Sequence, residues 1–246
     1  MSPLLTVEGV TAYRAEPQGA AQGGPHGALI VIHEIWGLVP HITGIADRYA
    51  AEGYLVLAPD LLSDAGVTPE IGAELFGMMN DPDEARRSAN QPRLREAFAA
   101  ARAPEFAAGA IAKLTTLVDA LEREPGVGGR IGVLGFCFGG SYSFSLAESD
   151  PRVKAAVPFY GSAEPGEVAS IHCPVLAFYG DQDQRLMDAL PALQSAMTAA
   201  RVDFEAKVYP DAGHAFFNDT NPRTFDPSAA GDAWGRSLEF LRAHVG

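Results

Sequence analysis

The chain has 246 residues, 47% of them hydrophobic, enough for one α/β domain with a full core and too apolar for a disordered protein. Its formal net charge of −13 argues against a nucleic-acid or anionic-membrane partner. Residues 1–11 hold no basic segment leading into an apolar one, and no apolar run approaches the roughly 20 residues that span a bilayer, so a cytoplasmic protein is expected.

An N-terminal strand region and a Gly-rich surface loop over 18–27 come first. An apolar run at about 29–33 then predicts the first parallel strand, followed by a helix at 41–52 and a strand at 54–58. Segment 63–92, with Pro69, Pro82 and Pro92, is the least regular and is expected to hold short helices over an active-site mouth. A helix at 94–123, a strand at 130–135 and a helix at 141–148 come next. Strands at 153–159, 174–180 and 204–209 and helices at 186–200 and 229–245 complete the chain. Such alternation predicts a mostly parallel sheet with crossover helices on both faces. No repeat, coiled coil or domain boundary interrupts it, so a single domain over 1–246, monomeric by default, is expected.

The pentapeptide Gly135-Phe136-Cys137-Phe138-Gly139 falls between a predicted strand and a predicted helix. That is the context of a nucleophile elbow, written G-x-S-x-G in α/β-hydrolases, here with cysteine at its centre. The elbow strains its central residue and needs small neighbours where strand and helix approach. A side chain there stands at a helix N-terminus, which favours thiolate. The plainer alternative is a Gly-rich turn around a buried, inert cysteine. The spacing fits neither a P-loop nor a dinucleotide fingerprint.

A hydrolase of this kind orders its triad nucleophile, acid, histidine. Downstream of Cys137, one predicted strand runs into Gly180-Asp181-Gln182-Asp183 and the next into Pro210-Asp211-Ala212-Gly213-His214. Ligand chemistry in open α/β sheets gathers at that strand edge. Asp183 is preferred over Asp181, which reads as part of the turn. The strand at 29–33 runs into His33-Glu34-Ile35-Trp36-Gly37, the loop that donates one oxyanion N–H; the residue after the nucleophile donates the other. Ile35 and Phe138 are therefore the expected donors. Glu34 reads either as a surface acid paired with a base such as Arg48 or as a hydrogen-bonding partner of the thiol. Cys173, the second cysteine, opens a buried strand without an elbow. The cysteines form no metal motif and His33-Glu34 is not H-E-x-x-H, so neither metal nor cofactor is expected.

The motifs His33-Glu34-Ile35-Trp36-Gly37, Ala58-Pro59-Asp60-Leu61, Gly135 to Gly140, Gly180-x-x-Asp183 and Gly213-His214-Ala215-Phe216 occur in order over about 28–241. Together they resemble dienelactone hydrolase (carboxymethylenebutenolidase). The resemblance implies an α/β-hydrolase fold and a triad of Cys137, Asp183 and His214. It also implies a glutamate, here Glu34, that hydrogen-bonds the resting thiol and helps activate it. The founding enzymes hold the substrate carboxylate with an arginine four residues past the triad histidine. Asn218 stands there in this chain, so the dienelactone specificity does not carry over. Trp36 and Asn218 are assigned to substrate contact, and Arg86, Arg87, Arg93 and Arg95 are candidates for the missing cation. The expected activity is hydrolysis of a small-molecule ester or lactone. A broad-range carboxylesterase or thioesterase is the closest rival, and a redox sensor using Cys137 is a more distant one.

Overall fold

Continuous apolar runs become strands buried on both faces, as parallel sheets require. The computed structural model describes residues 4–18 and 25–246; most of the Gly-rich loop expected over 18–27 lies outside the described residues. Among the described residues, eight strands form one sheet: β1 (Leu5–Val7), β2 (Val10–Ala15), β3 (Ala28–Ile32), β4 (Leu55–Pro59), β5 (Ile131–Phe136), β6 (Val153–Phe159), β7 (Val175–Gly180) and β8 (Phe204–Tyr209). Their order is β1-β2-β4-β3-β5-β6-β7-β8, with β1 and β2 antiparallel and the rest parallel. Every residue of β3 is fully buried.

Seven α-helices accompany the sheet among the described residues: α1 (Pro40–Ala51), α2 (Pro69–Met79), α3 (Glu84–Ala97), α4 (Pro104–Glu122), α5 (Phe138–Ser149), α6 (Gln184–Ala200) and α7 (Pro227–His244). On one face α1 meets α7, with the Tyr49 and Trp234 rings 4.5 Å apart. On the other α4 meets α5 through Phe106 and Tyr142. Among the described residues, no helix is long and apolar enough to cross a membrane.

One sequence expectation is corrected, and a second is met by longer helices than expected. The helix expected over 94–123 is two helices, α3 and α4. The cause is Pro104, which drives Ala103 into an extended conformation (φ −69°, ψ 142°). The irregular segment 63–92 is also more helical than its prolines suggested. Pro69 occupies the first turn of α2 after the Thr68 cap, and Asp83 caps α3 by accepting from the Ala85 and Arg86 amides. These helices form a cap whose small core, around Leu62, Val67, Leu75, Leu94 and Phe98, packs on Ile35, Trp36 and Phe138.

Register fixes where side chains emerge. Ile32 pairs with Gly135, Phe136 with Phe159, Phe159 with Phe178, and Gly180 with Tyr209. The C-terminal ends of β3, β5, β6, β7 and β8 thus lie along one edge, and the loops after them carry Glu34, Cys137, Tyr160, Asp183 and His214.

Candidate active site

Cys137 joins β5 to α5 with φ 56° and ψ −109°, a conformation that L-residues avoid. Its amide donates to the Phe159 carbonyl at 3.0 Å, tying the turn to β6. The flanking glycines are obligatory here. A Cβ on Gly135 would lie 2.2 Å from the Gly139 carbonyl oxygen, and one on Gly139 would lie 2.2 Å from that of Ile32. The thiol is half-buried at the N-terminus of α5. The helix dipole there favours negative charge. Cys173 contrasts with it: burial pushes its thiol up to about 11, so it stays protonated and unreactive.

Asp183 performs two tasks with its two oxygens. Oδ1 accepts from the Leu186 amide and caps α6, while Oδ2 lies 2.5 Å from His214 Nδ1. A carboxylate only accepts, so Nδ1 is the donor. Asp181 instead engages its neighbour Gln182. Burial opposes a charge on His214, but its hydrogen bonds to Asp183 and to Cys137 outweigh it and raise the imidazole to about 10. Burial likewise opposes the Asp183 carboxylate, yet His214 holds it below its usual range.

The loop after β3 is pinned by His33, a residue whose role the sequence did not disclose. Its ring is fully buried and stacks on Phe138, with planes 3° apart. Nε2 accepts from the Leu61 amide, so Nδ1 carries the proton and donates to the Glu34 carbonyl at 2.6 Å. Burial lowers the imidazole below its ordinary value, which keeps it neutral. The loop so held presents Ile35. Phe138 is the first residue of α5, where amides have no partner within the helix. Among the described residues, neither amide donates to a protein acceptor.

Glu34 is 1% exposed. Asn218 Nδ2 donates to its Oε2 at 2.7 Å, and the Tyr160 hydroxyl donates to its Oε1 at 3.4 Å. Burial pushes the carboxyl up to about 7, against the opposing influence of Asn218, His214 and Tyr160. Both sequence readings of its partner are thus displaced. Arg48 does not pair with Glu34; its guanidinium lies over the Trp234 and Phe217 rings. The hydrogen bonds of the carboxylate go to Asn218 and Tyr160 rather than to the thiol. Asn218 is buried, and its Oδ1 accepts from the Thr220 amide and hydroxyl, so its side chain serves this network before any substrate. Tyr160 escaped the sequence reading altogether. It sits at φ 39° just past β6, with its ring 5.1 Å from that of His214.

A cavity of about 260 Å³ opens beside this network. Its walls include Glu34, Trp36, His41, Phe76, Asn218 and Thr220. Trp36 meets Phe76 and Phe98 edge-on at 5.5 and 5.7 Å, so the cap helices close one side. The four arginines proposed as substitutes for the missing cation do not line it. Arg86 faces Asp81 and Asp83, Arg87 binds the Asp81 and Pro82 carbonyls, Arg93 pairs with Glu74, and Arg95 is exposed. A larger open groove, about 830 Å³, runs between α4 and α5 and is lined by none of the triad candidates.

Residues 10–245 match the sequence model of the dienelactone hydrolase family. A protein of Escherichia coli (strain K12) named as a carboxymethylenebutenolidase is 32% identical over 251 residues, which span 97% of this chain and 84% of that protein. One of the same name from Saccharolobus solfataricus is 34% identical, over 95% of this chain and 93% of its own. The crystal structure of a protein named as a dienelactone hydrolase, from Klebsiella pneumoniae, superposes with a TM-score of 0.77 at 31% identity, covering 94% and 92% of the two chains.

Proposed function

The chain belongs to the dienelactone hydrolase family, hydrolases acting on ester bonds, and we propose that it opens its ester or lactone through a Cys137-His214-Asp183 triad. The observation that carries this reading is the His214–Asp183 hydrogen bond, with Cys137 acting on the same imidazole, beside two unengaged amides. His214 holds the thiol proton, and the thiolate attacks the carbonyl carbon. The new C–S bond leaves a tetrahedral oxyanion, stabilised by the Ile35 and Phe138 amides. The intermediate collapses, the C–O bond breaks, and His214 Nε2 returns its proton to the departing alkoxide. Water deprotonated by His214 then attacks the thioester, releasing the acid and restoring Cys137. Asp183 holds the imidazole in the required tautomer and favours its charged form.

Glu34 acts on this triad through its charge. Poised near neutrality beside His214, it favours imidazolium when ionised and releases that hold when protonated. As substrate we favour an uncharged lactone or ester, because a buried amide replaces the arginine that binds carboxylate in the founding enzymes. The test is trapping. With an activated ester such as 4-nitrophenyl acetate at low pH, intact-mass analysis is expected to show one acetyl group, lost in Cys137→Ala and retained in Cys173→Ala. Turnover should follow the same pattern. An unacylated Cys137 in an enzyme that still hydrolyses the ester would exclude the covalent route.

A further inference from the structure

Two hydrogen bonds converge on one peptide group of the loop after β3. The Glu34 carbonyl accepts from His33 Nδ1 at 2.6 Å and from the Gly37 amide at 3.1 Å. Both of its lone pairs are then engaged. The N–H of that same peptide group belongs to Ile35, the residue assigned to the oxyanion. A peptide unit is planar, so fixing its carbonyl fixes the direction of its N–H. His33 thus grips the far end of an oxyanion donor.

The other ring nitrogen extends the series. Nε2 accepts from the Leu61 amide at 3.1 Å. Asp60 steadies that segment by accepting from the Leu62 and Ser63 amides. The Leu61 N–H, the imidazole and the Glu34–Ile35 peptide therefore form one donor-to-acceptor chain, with the Ile35 N–H at its free end. In such a chain each hydrogen bond strengthens the next, by about 10–30% per bond. The triad chemistry uses neither Asp60 nor Leu61, although both stand in the Ala58-Pro59-Asp60-Leu61 motif.

The His33 ring also reaches the second donor. It lies flat against the Phe138 ring, with centroids 5.6 Å apart. A Cβ on Gly139 would lie 2.6 Å from the His33 carbonyl oxygen, so the first turn of α5 presses on the His33 backbone. The His33 side chain is fully buried and meets no ligand itself. We propose that His33 is a positioning residue of the oxyanion hole: its Nδ1–H orients and polarises the peptide that presents the Ile35 N–H, and its ring holds Phe138 so that the second amide meets the same oxygen. The proposal rests on the reading of Cys137 as a nucleophile that attacks ester carbonyls.

The test compares three variants. His33→Phe keeps an aromatic ring and neither hydrogen bond, His33→Asn places an amide nitrogen where Nδ1 stands, and His33→Gln places its amide where Nε2 stands. Hydrolysis of 4-nitrophenyl acetate gives kcat/KM. Inhibition by benzyl trifluoromethyl ketone reads oxyanion binding, because the thiolate adds to its carbonyl carbon, a C–S bond forms and the oxygen takes the negative charge. Alkylation of Cys137 by iodoacetamide displaces iodide and forms no oxyanion, so it reads the thiol and the fold. In His33→Phe and His33→Gln, kcat/KM is expected to fall about 10- to 100-fold, short of the roughly 10²–10³ that outright loss of a donor costs. Ketone affinity should fall by the same factor, while alkylation keeps the parent rate. His33→Asn should recover part of both losses, and the contrast between Asn and Gln decides the matter where His33→Phe does not fold. Parent values of kcat/KM and ketone affinity in His33→Gln overturn the proposal. So does a loss that alkylation shares equally, as a merely structural role would produce. A parent protein that hydrolyses no ester refutes the role given to Cys137 and this proposal with it, whereas full ester hydrolysis in His33→Gln refutes this proposal alone.

Discussion

Glu34→Gln removes a charge while preserving shape, and the structure gives the size and sign of its effect. Burial lifts the Glu34 carboxyl from an ordinary 4.5 to about 7. Between those values the folded protein holds a proton that the unfolded chain has released. Stability contributed by this group is therefore complete below about pH 4.5 and is lost as pH rises through 7. At 1.36 kcal/mol per pH unit, the loss reaches a ceiling of about 3 kcal/mol above neutrality. Glutamine has no such dependence. It offers one carbonyl oxygen where the carboxylate offered two, so one of the bonds from Asn218 and Tyr160 weakens, at about 1 kcal/mol independent of pH. Asp183 and His214 titrate in both proteins and largely cancel in the difference. Urea unfolding at intervals from pH 4.5 to 8 should therefore show the variant gaining on its parent by about 3 kcal/mol across the range. In parallel, any limb of the kcat/KM profile that titrates near 7 should disappear. Stability curves that stay parallel from pH 4.5 to 8 would refute the account, because they would mean that Glu34 keeps its ordinary ionisation in the fold.

Two further substitutions probe the surroundings of this carboxylate. Asn218→Ala removes the 2.7 Å bond to Oε2; a hydrogen bond to a charged acceptor contributes about 1.5–3 kcal/mol, so the limb of kcat/KM assigned to Glu34 should move up by about one to two pH units, and an unmoved limb would show that Asn218 does not hold it. Gly72→Ala places a Cβ 1.7 Å from the Trp36 carbonyl oxygen, which forces α2 and the Ile35 loop apart; kcat/KM should fall by up to about 10²-fold, as when an oxyanion donor is displaced, while Gly44→Ala, which meets nothing within 4 Å, should leave it unchanged, and equal activity of the two variants would disconnect the cap from the oxyanion loop.

The sheet was legible because its parallel strands are buried on both faces and so read as unbroken apolar runs. The β1–β2 hairpin was less visible: β1 is three residues long, at the sheet edge, and largely exposed. Prolines misled in both directions. Pro104 divided a helix that the apolar pattern ran straight through, whereas Pro92 lies inside α3 without ending it. The elbow, Asp183 and His214 were legible because each sits in a loop after a strand. There the residue types needed for the chemistry follow the strand end by a short, fixed spacing, and parallel register alone brings them to one edge.

The environment of Glu34 was not legible, for a related reason. Its partners are not strand-end residues at fixed spacing but side chains aimed by turns. Ala215 adopts φ 62°, and the Asn218 amide returns to the Ala215 carbonyl. That reversal aims the Asn218 side chain at Glu34, a direction that sequence offset from His214 cannot reveal. The geometry also bears on why this position is neutral. An arginine at 218 would stand beside the buried Glu34 carboxylate, where the Asn218 amide now donates. It would hold Glu34 ionised well below neutrality, since an adjacent cation stabilises a carboxylate. The charge of residue 218 and the ionisation of Glu34 are thus one variable. An asparagine there leaves the glutamate free to titrate near pH 7 and leaves the cavity beside it without a cation.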